Sequence, residues 1–446
     1  MVKRELEKDI LGYLSRIDEH PNVLLLEGAR QVGKTTLIHQ IRDQLEKNLV
    51  YVNLEEERKV LRDIDSCEEF SDFSKLLQTR YNFRGDGSAV LCIDEAQESN
   101  MLGGFIRFMK EKWHHTNVIL TGSSMSRIFK KGKRFPVGRV TRFLLQPFNY
   151  REFLQCGGKE LLLDMDNVPN SIFSQPEFIH HENLEMLQAF IDVGGLPAVV
   201  VAYFKNHDWH QLRENLYLDY KDDFSRIFSE EEAGLFDNCV RGIANNLGSP
   251  SLYSQVVKTT SRLYKKSPDF LTLLENWKLV HKLDVRSAHV EGDSFVPKRY
   301  LYDIGISQTV RLSALPRIDI ISQLNAALRT PLGGIIENLL ALELVALKQD
   351  LTGWKKGNNS YEVDFIYTLE NGNTIPVECK AALHNKASHA SGLEEYARRN
   401  GSPGGVLINL APPQKWKTRS GMPMISIPVY YAGYLPQLVP HLLATS

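Results

Sequence analysis

The sequence predicts an α/β fold with a parallel sheet in its first third. Short apolar runs, each long enough for a buried strand, lie at Asn22–Glu27, Leu49–Leu54, Ala89–Ile93 and Val118–Thr121. Helical patterns separate these runs, and strands that alternate with helices favour parallel pairing. A glycine-rich turn follows the first run, and helix Lys34–Leu45 is predicted directly after it.

The composition sets the broad class. A chain of 446 residues suggests about three domains. Lys and Arg number 53 and Asp and Glu number 54, so the net charge of −1 rules out neither nucleic acid nor a membrane as partner. Five scattered cysteines without a CxxC pair argue against a zinc ribbon or a disulfide framework. With no long apolar run and no signal-peptide pattern, we expect a cytoplasmic protein that does not enter the membrane.

The glycine-rich turn has the spacing of a phosphate-binding loop. Residues 28–35 read GARQVGKT and match GxxxxGK[ST] between a strand and a helix. The glycines let backbone N–H groups converge on phosphates at the helix N-terminus. Lys34 is expected to reach the β- and γ-phosphates, and the Thr35 hydroxyl to ligate Mg²⁺. The predicted nucleotide-binding residues are Gly28, Ala29, Arg30, Gln31, Val32, Gly33, Lys34, Thr35 and Thr36.

Further polar residues follow the ends of the predicted strands. The run AVLCIDE delivers Asp94 and Glu95 to the sheet edge where α/β proteins bind ligands. We expect Asp94 to help hold Mg²⁺ and Glu95 to orient or deprotonate the attacking water. Thr121 or Ser123 is expected to sense the γ-phosphate. Arg139, in a basic stretch, is the candidate finger on a neighbouring protomer's nucleotide, which would require a homo-oligomer; a solvated face and a phosphate-backbone contact are the alternatives.

These strings occur in the order of a known family. GARQVGKTTL, CIDEAQ, TGSS, the VGR turn, QPFNYREF, GGLP, PKRYLYDIGI, ENLLALEL, EVDFIY and VECK cover nearly the whole chain. The sequence resembles prokaryotic AAA-superfamily ATPases in which an AAA domain is fused to a C-terminal domain of unknown function. The resemblance implies ATP as the nucleotide, Mg²⁺ as its metal, and ATP hydrolysis as the activity.

The expected domains are an AAA-type P-loop ATPase core, a helical lid, a winged-helix-like domain and a PD-(D/E)xK nuclease-like domain. Their predicted ranges are 1–148, 149–229, 230–312 and 313–446. In the third range, three helices precede an extended charged pair of strands, and Lys258, Arg262, Lys265, Lys266, Lys278 and Lys282 supply positive charge. A winged helix can bind DNA in the major groove or pack against protein, and both interpretations stay open.

Carboxylates near the C-terminus suggest a second site. Glu337, Asp364, Glu378 and Lys380 have the order of a PD-(D/E)xK nuclease core, although Val363 replaces the proline. Asp364 and Glu378 could hold Mg²⁺, with Lys380 neutralising phosphate charge. A strict two-residue turn would place Asp364 on the face opposite Glu378, so we predict an odd-length connection or a bulge between them. A nuclease-like fold without cleavage and a coincidental pattern are the alternatives.

Three functions compete at this point. The chain is a Mg²⁺-dependent ATPase that controls a DNA-associated module, a slow nucleotide-gated switch for DNA or a protein partner, or an ATP-coupled nuclease.

Overall fold

The computed structural model describes residues 2–17, 22–123, 138–163, 171–227, 230–257, 264–287, 295–357 and 361–440. The chain divides into two compact units. The first holds Met1–Pro147 with Asn276–Lys278, and the second holds Phe148–Glu275 with Leu279–Ser446. Among the described helices, none combines the length and hydropathy needed to cross a membrane. The domain boundaries proposed from the sequence stay predictions.

The first unit contains a five-stranded parallel sheet with the strand order β2-β3-β4-β1-β5. The strands are β1 Val23–Glu27, β2 Asn48–Asn53, β3 Ala89–Asp94, β4 Val118–Gly122 and β5 Val140–Leu144. The helices are α1 Glu5–Leu14, α2 Lys34–Arg42, α3 Arg58–Asp65, α4 Phe70–Tyr81 and α5 Leu102–Lys112. The parallel α/β fold predicted from the sequence is therefore confirmed.

The alternation of side chains along the strands places apolar residues on one face of this sheet, where they form a core. Leu25, Leu91, Ile93 and Leu120 are fully buried and lie in one apolar cluster, since alternate residues of a strand share a face. Helices α4 and α5 add aromatic rings to the same cluster, and the Phe73 and Phe105 rings stack at 5.1 Å. This packing fixes the carboxyl ends of β1, β3 and β4 side by side.

Two elements of the first unit were missed by the sequence analysis. Strand β5 pairs with the outer side of β1, but its sequence VTRFL lacks the continuous apolar run of a buried strand. Edge strands are covered on fewer sides, so their hydrophobic signal is weaker. Helix α3 was missed as well, because its sequence RKVLRDID carries few apolar residues.

The second unit begins with helices, as the sequence predicted, and continues into two sheets. The helices are α6 Tyr150–Cys156, α7 Glu177–Val193, α8 Pro197–Phe204, α9 Trp209–Ile227, α10 Glu230–Asn245, α11 Tyr253–Val256, α12 Ser267–Asn276, α13 Ile304–Val310, α14 Ala326–Ala346, α15 Ser391–Asn400 and α16 Leu435–Leu438. The strands are β6 Val280–Ser287, β7 Lys298–Leu301, β8 Thr352–Lys355, β9 Glu362–Val363, β10 Phe365–Thr368, β11 Thr374–Cys379, β12 Gly405–Asn409, β13 Gln414–Lys417 and β14 Pro423–Pro428.

The middle region has the predicted order of elements. Helices α10, α11 and α12 precede the antiparallel pair β6–β7. Lys258 and Arg262, two of the basic residues invoked for DNA contact, lie outside the described residues. Glu275 of α12 is bonded to Arg299 of β7 at 2.9 Å. A winged-helix function for this region stays a prediction.

The two C-terminal sheets meet at Asp364. One sheet has the order β7-β6-β8-β9, and the other has the order β10-β11-β12-β14-β13. Asp364 occupies the bend between β9 and β10. Thr368 lies opposite Thr374, so residues 369–373 form a loop of odd length, as predicted. Continued by one residue beyond the pair Phe365 and Val377, this register places Asp364 opposite Glu378.

Candidate nucleotide site and C-terminal carboxylate cluster

The loop between β1 and α2 has the backbone that its glycines predict. Gly33 caps helix α2 with a positive φ of 92°, a region that favours glycine. A Cβ atom at Gly28 would collide with the backbone oxygen of Leu145, so only glycine fits there. Gln31 also has a positive φ, of 62°, a conformation that is uncommon for a side-chain-bearing residue. The loop thus turns sharply before the helix N-terminus.

Arg4, which directly precedes α1, makes a contact with the loop that the sequence did not predict. The Arg4 guanidinium is buried and donates to the backbone oxygen of Val32 at 2.8 Å and to that of Gln146 at 2.6 Å. Charged hydrogen bonds of this kind are the stronger class. Arg4 therefore ties the loop to the chain segment after β5. An arginine in a charged N-terminal helix gives no local signal of this contact.

The structure brings Thr35 and Asp94 together. Thr35 Oγ1 donates to Asp94 Oδ2 at 2.8 Å, and Asp94 is fully buried at the end of β3. The same carboxylate oxygen accepts a hydrogen bond from Tyr51 of β2 at 2.7 Å. Burial, together with the hydrogen bond to Asp94, raises the pKa of Tyr51, so its hydroxyl remains a donor at neutral pH. The sequence did not predict the contact of Tyr51 with Asp94, because it arises only from the pairing of β2 with β3.

Glu95 and Lys34 complete the group. Glu95 has a positive φ of 51°, a strained backbone of the kind found at functional sites. Burial raises the pKa of Glu95, whereas its bond from Gln97 and the charge of Lys34 lower it. Lys34 Nζ donates to the backbone oxygens of Gly28 at 3.0 Å and Ala29 at 2.8 Å. Burial lowers the pKa of Lys34 to about 8, against the opposing charges of Glu95 and Asp94.

The two sensor candidates lie at the end of β4. Thr121 is paired in register with Leu26 of β1 and is fully buried. Within the described part of the chain, its hydroxyl oxygen has no hydrogen-bond partner. Ser123 directly follows the strand and is partly exposed. Thr121 is thus a polar side chain with unused bonding capacity at this edge.

Arg139 does not join this group. It precedes β5, and its backbone oxygen accepts from the N–H of Val23 at the amino end of β1. The loop carrying Lys34 follows the opposite end of the same strand. The Arg139 guanidinium is paired with Glu111 of α5 at 3.2 Å. Of the other basic residues in the same stretch, Arg142 contacts Glu27 at 3.4 Å, and Arg127, Lys130, Lys131, Lys133 and Arg134 lie outside the described residues.

The C-terminal carboxylates form a second cluster. Asp364 Oδ2 accepts from the Cys379 N–H at 3.0 Å, and Lys380 Nζ donates to Glu378 Oε1. Asp364 is almost completely buried. The sequence-predicted residues Glu337, Asp364, Glu378 and Lys380 are electrostatic neighbours in this cluster. Because the loop after β10 has an odd number of residues, Asp364 and Glu378 lie opposite each other.

An additional cation, which the sequence analysis did not identify, lies among these carboxylates. Lys298 Nζ is 2.9 Å from Asp364 Oδ1, 3.1 Å from Glu362 Oε1 and 3.3 Å from Glu337 Oε2. Tyr300, two residues later on β7, donates to the same oxygen of Glu337 at 3.0 Å. The motif PKRYLYDIGI contains both residues, but their partners are far away in sequence.

Burial and nearby charges shift the pKa values of these carboxylates in different directions. Burial, together with the charge of Asp364, raises the pKa of Glu337 to about 7. Burial also raises the pKa of Glu378. The pKa of Asp364 is lowered, because Lys298 and Lys380 outweigh the effect of its burial. Across the described residues, no three Asp, Glu, His or Cys side chains are arranged to hold a metal ion. The carboxylates of Glu337 and Asp364 are instead paired with the ammonium group of Lys298.

The histidines also form no metal site within the described ranges. His180, His181 and His384 line a cavity of about 680 Å³ in the second unit. His180 Nδ1 is bonded to the hydroxyl of Tyr430 at 2.7 Å. Tyr430, Tyr431 and Tyr434 are buried and pack in the interior of the second unit.

Comparisons with known proteins find three domain families that match parts of this chain. Residues 20–154 match a family described as an AAA domain. Residues 184–316 match a domain of unknown function, DUF8612, and residues 332–430 match another, DUF4143. A curated relative, an uncharacterized protein of Methanocaldococcus jannaschii, is 25% identical over 387 residues, which cover 84% of this chain and 79% of the relative.

Two solved structures show a distant likeness. A Walker-type ATPase of Pyrococcus abyssi is 18% identical and has a TM-score of 0.44, with 70% of this chain and 96% of that chain covered. The Orc1 protein of Aeropyrum pernix, solved in complex with DNA, is 10% identical and has a TM-score of 0.30, with 70% of this chain and 92% of that chain covered.

Proposed function

We propose that this chain, which carries an AAA domain followed by two domains of unknown function, is a Mg²⁺-dependent ATPase whose nucleotide state controls its C-terminal module. The observation that carries the proposal is the 2.8 Å contact between Thr35 Oγ1 and Asp94 Oδ2. A hydroxyl from a phosphate-binding loop and a carboxylate from a strand end at the same sheet edge are the protein groups that hold Mg²⁺ in P-loop enzymes.

Each neighbouring group has a role that suits its environment. Thr35 and Asp94 would hold Mg²⁺, which neutralises phosphate charge when it is bound. Lys34 is placed to exchange its bonds to loop carbonyls for bonds to the β- and γ-phosphates. Glu95, whose pKa is raised by burial, is the acceptor for a proton of the attacking water, because a base with a pKa nearer to neutrality works best near pH 7. Thr121 offers its unused hydroxyl to the γ-phosphate.

A slower, switch-like mode is the second candidate. Arg139 lies at the opposite end of the sheet from Lys34 and is paired with Glu111. An arginine finger accelerates phosphoryl transfer by about 10³–10⁵-fold in enzymes that depend on one. If another protomer supplies Arg139, the homo-oligomer would hydrolyse ATP quickly and the isolated chain slowly. Native mass spectrometry with ATP tests the oligomer directly.

The C-terminal module is proposed to bind DNA or a protein partner without cleaving it. Ordering of loops by the γ-phosphate, and their release on hydrolysis, is an established way to couple a nucleotide to a distant domain. The contacts of Lys298 argue against a metal-dependent nuclease. A plasmid-nicking assay in Mg²⁺ or Mn²⁺, with Asp364→Ala and Lys380→Ala as variants, decides between these alternatives.

The primary test measures phosphate release with and without duplex and single-stranded DNA. Lys34→Ala is expected to abolish nucleotide binding, whereas Lys59→Ala, an exposed lysine of α3, leaves it intact. Glu95→Gln is expected to bind ATP but to hydrolyse it about 10²–10⁴-fold more slowly. Glu68→Gln, at an exposed position, serves as its control.

The outcomes separate the candidates. Hydrolysis that is stimulated by DNA supports a DNA-coupled ATPase, and tight ATP binding with very slow release of phosphate supports the switch. Normal hydrolysis by Glu95→Gln would show that Glu95 is not the water-activating base. Nucleotide binding by Lys34→Ala equal to that of the wild type would refute the proposed site.

A further inference from the structure

The centre of the C-terminal carboxylate cluster is taken by an ammonium group of the chain itself. Lys298 Nζ has three carboxylate oxygens within 3.3 Å, one each from Glu337, Glu362 and Asp364. A lysine ammonium has three donors and no acceptor, so these oxygens match its full bonding capacity. The side chain of Lys298 is only 4% exposed.

The same contacts occupy the oxygens that a divalent ion would need at Asp364 and Glu337, whereas Glu378 Oε2 has no hydrogen-bond partner among the described residues. Asp364 uses Oδ1 for Lys298 and Oδ2 for the N–H of Cys379. Glu337 Oε2 is shared by Lys298 and Tyr300. A Cβ atom at Gly248 would lie 2.8 Å from Glu337 Oε1, so this oxygen faces backbone at close range. Mg²⁺ requires oxygen ligands at about 2.0–2.1 Å and usually retains several water molecules.

We propose that Lys298 is a built-in replacement for a metal ion, and that the C-terminal module works without a divalent cation. Lys298 belongs to β7 of one sheet, whereas Asp364 lies where the chain passes into the other sheet. The ammonium therefore joins the middle region to the nuclease-like sheet, which is the structural task that a bound metal would otherwise perform. Shortening this side chain would leave the carboxylates unneutralised and open a divalent-cation site at Asp364 and Glu337.

The test counts bound Mn²⁺ on the full chain without nucleotide. Mn²⁺ prefers the same oxygen ligands as Mg²⁺, and its free form is measured directly by electron paramagnetic resonance. The wild type and Lys298→Ala are compared with Lys355→Ala. Lys355 contacts Glu362 at 3.4 Å but not Asp364, so this control removes a lysine from the same cluster. The inference concerns the C-terminal module alone, and its failure leaves the proposed ATPase activity untouched.

Lys298→Ala is expected to gain one equivalent of bound Mn²⁺ per chain relative to the wild type and to Lys355→Ala. Adding Asp364→Asn is expected to abolish this gain. Mn²⁺ is also expected to raise the Tm of Lys298→Ala but not that of the wild type, because a ligand stabilises the folded state that binds it.

A second comparison keeps the proposal testable if Lys298→Ala fails to fold. Wild type and Asp364→Asn are expected to bind equal amounts of Mn²⁺, because Asp364 holds no metal in the native protein. A wild-type Mn²⁺ site that disappears in Asp364→Asn would overturn the proposal. A folded Lys298→Ala that binds no more Mn²⁺ than Lys355→Ala would overturn it as well.

Discussion

Tyr51→Phe tests the geometry of the proposed Mg²⁺ site. Tyr51 donates at 2.7 Å to Asp94 Oδ2, the oxygen that also accepts from Thr35. The substitution removes one hydroxyl and keeps the ring. Since Asp94 is fully buried, water cannot readily replace the lost donor, and the carboxylate is free to turn away from Thr35.

The size of the effect follows from the type of bond. A hydrogen bond to a charged group contributes about 1.5–3 kcal/mol, which corresponds to roughly 10–100-fold in an equilibrium constant. Loss of a group that orients a metal ligand typically weakens metal binding by about the same factor. We therefore expect the Mg²⁺ concentration for half-maximal ATP hydrolysis to rise by about 10–100-fold.

The assay measures ATP hydrolysis by Tyr51→Phe over a range of Mg²⁺ concentrations. Nucleotide binding is measured separately in EDTA, where the affinity of Tyr51→Phe is expected to equal that of the wild type. Tyr81→Phe is the matched control, because Tyr81 donates at 2.5 Å to the carboxylate of Glu57 rather than to Asp94. A Mg²⁺ midpoint in Tyr51→Phe within about twofold of the wild type, or an equal shift in Tyr81→Phe, would refute the role given to Tyr51.

Two further predictions concern the phosphate-binding loop. Burial lowers the pKa of Lys34 to about 8, so its ammonium is present below that pH, and nucleotide affinity in EDTA is expected to fall by up to about tenfold per pH unit above it. Glu95→Gln removes a charge that raises the pKa of Lys34, so in this variant the fall in nucleotide affinity is expected to begin at a lower pH than in the wild type. A wild-type affinity that stays constant up to about pH 9.5 would contradict the role given to the Lys34 charge. A Cβ atom at Gly28 would collide with Leu145, so Gly28→Ala is expected to weaken nucleotide binding and to lower the Tm. Gly104→Ala, in α5 with open space around it, is expected to raise the free energy of unfolding by about 0.5–1 kcal/mol in urea titrations, and equal effects of the two substitutions would contradict this account.

The sequence predicts the site best where the chemistry depends on residues close together in the chain. The loop before α2 takes its shape from glycines a few residues apart, and the helix follows from the residues directly after it. Asp94 and Glu95 were assigned to the same sheet edge as Lys34 because parallel strands align their carboxyl ends. The sheet order then brought Asp94 within hydrogen-bond distance of Thr35.

Local patterns gave weaker signals at the edges of the structure. Strand β5 was missed because a strand at a sheet edge needs no continuous apolar run. The sequence also did not predict the pairing of Arg139 with Glu111, because Glu111 belongs to a helix whose orientation depends on the sheet beneath it.

The sequence by itself determined the α/β class and the phosphate-binding loop, and it predicted an odd-length connection or a bulge between Asp364 and Glu378. Only the tertiary structure decided that Tyr51 supports Asp94 and that Lys298 occupies the centre of the C-terminal carboxylates. Lys298 is separated by 39 residues from Glu337 and by 66 from Asp364. The meeting of such distant side chains depends on how whole strands and helices pack, which short-range periodicity does not encode. Whether a carboxylate cluster holds a metal or an ammonium is therefore settled by long-range packing.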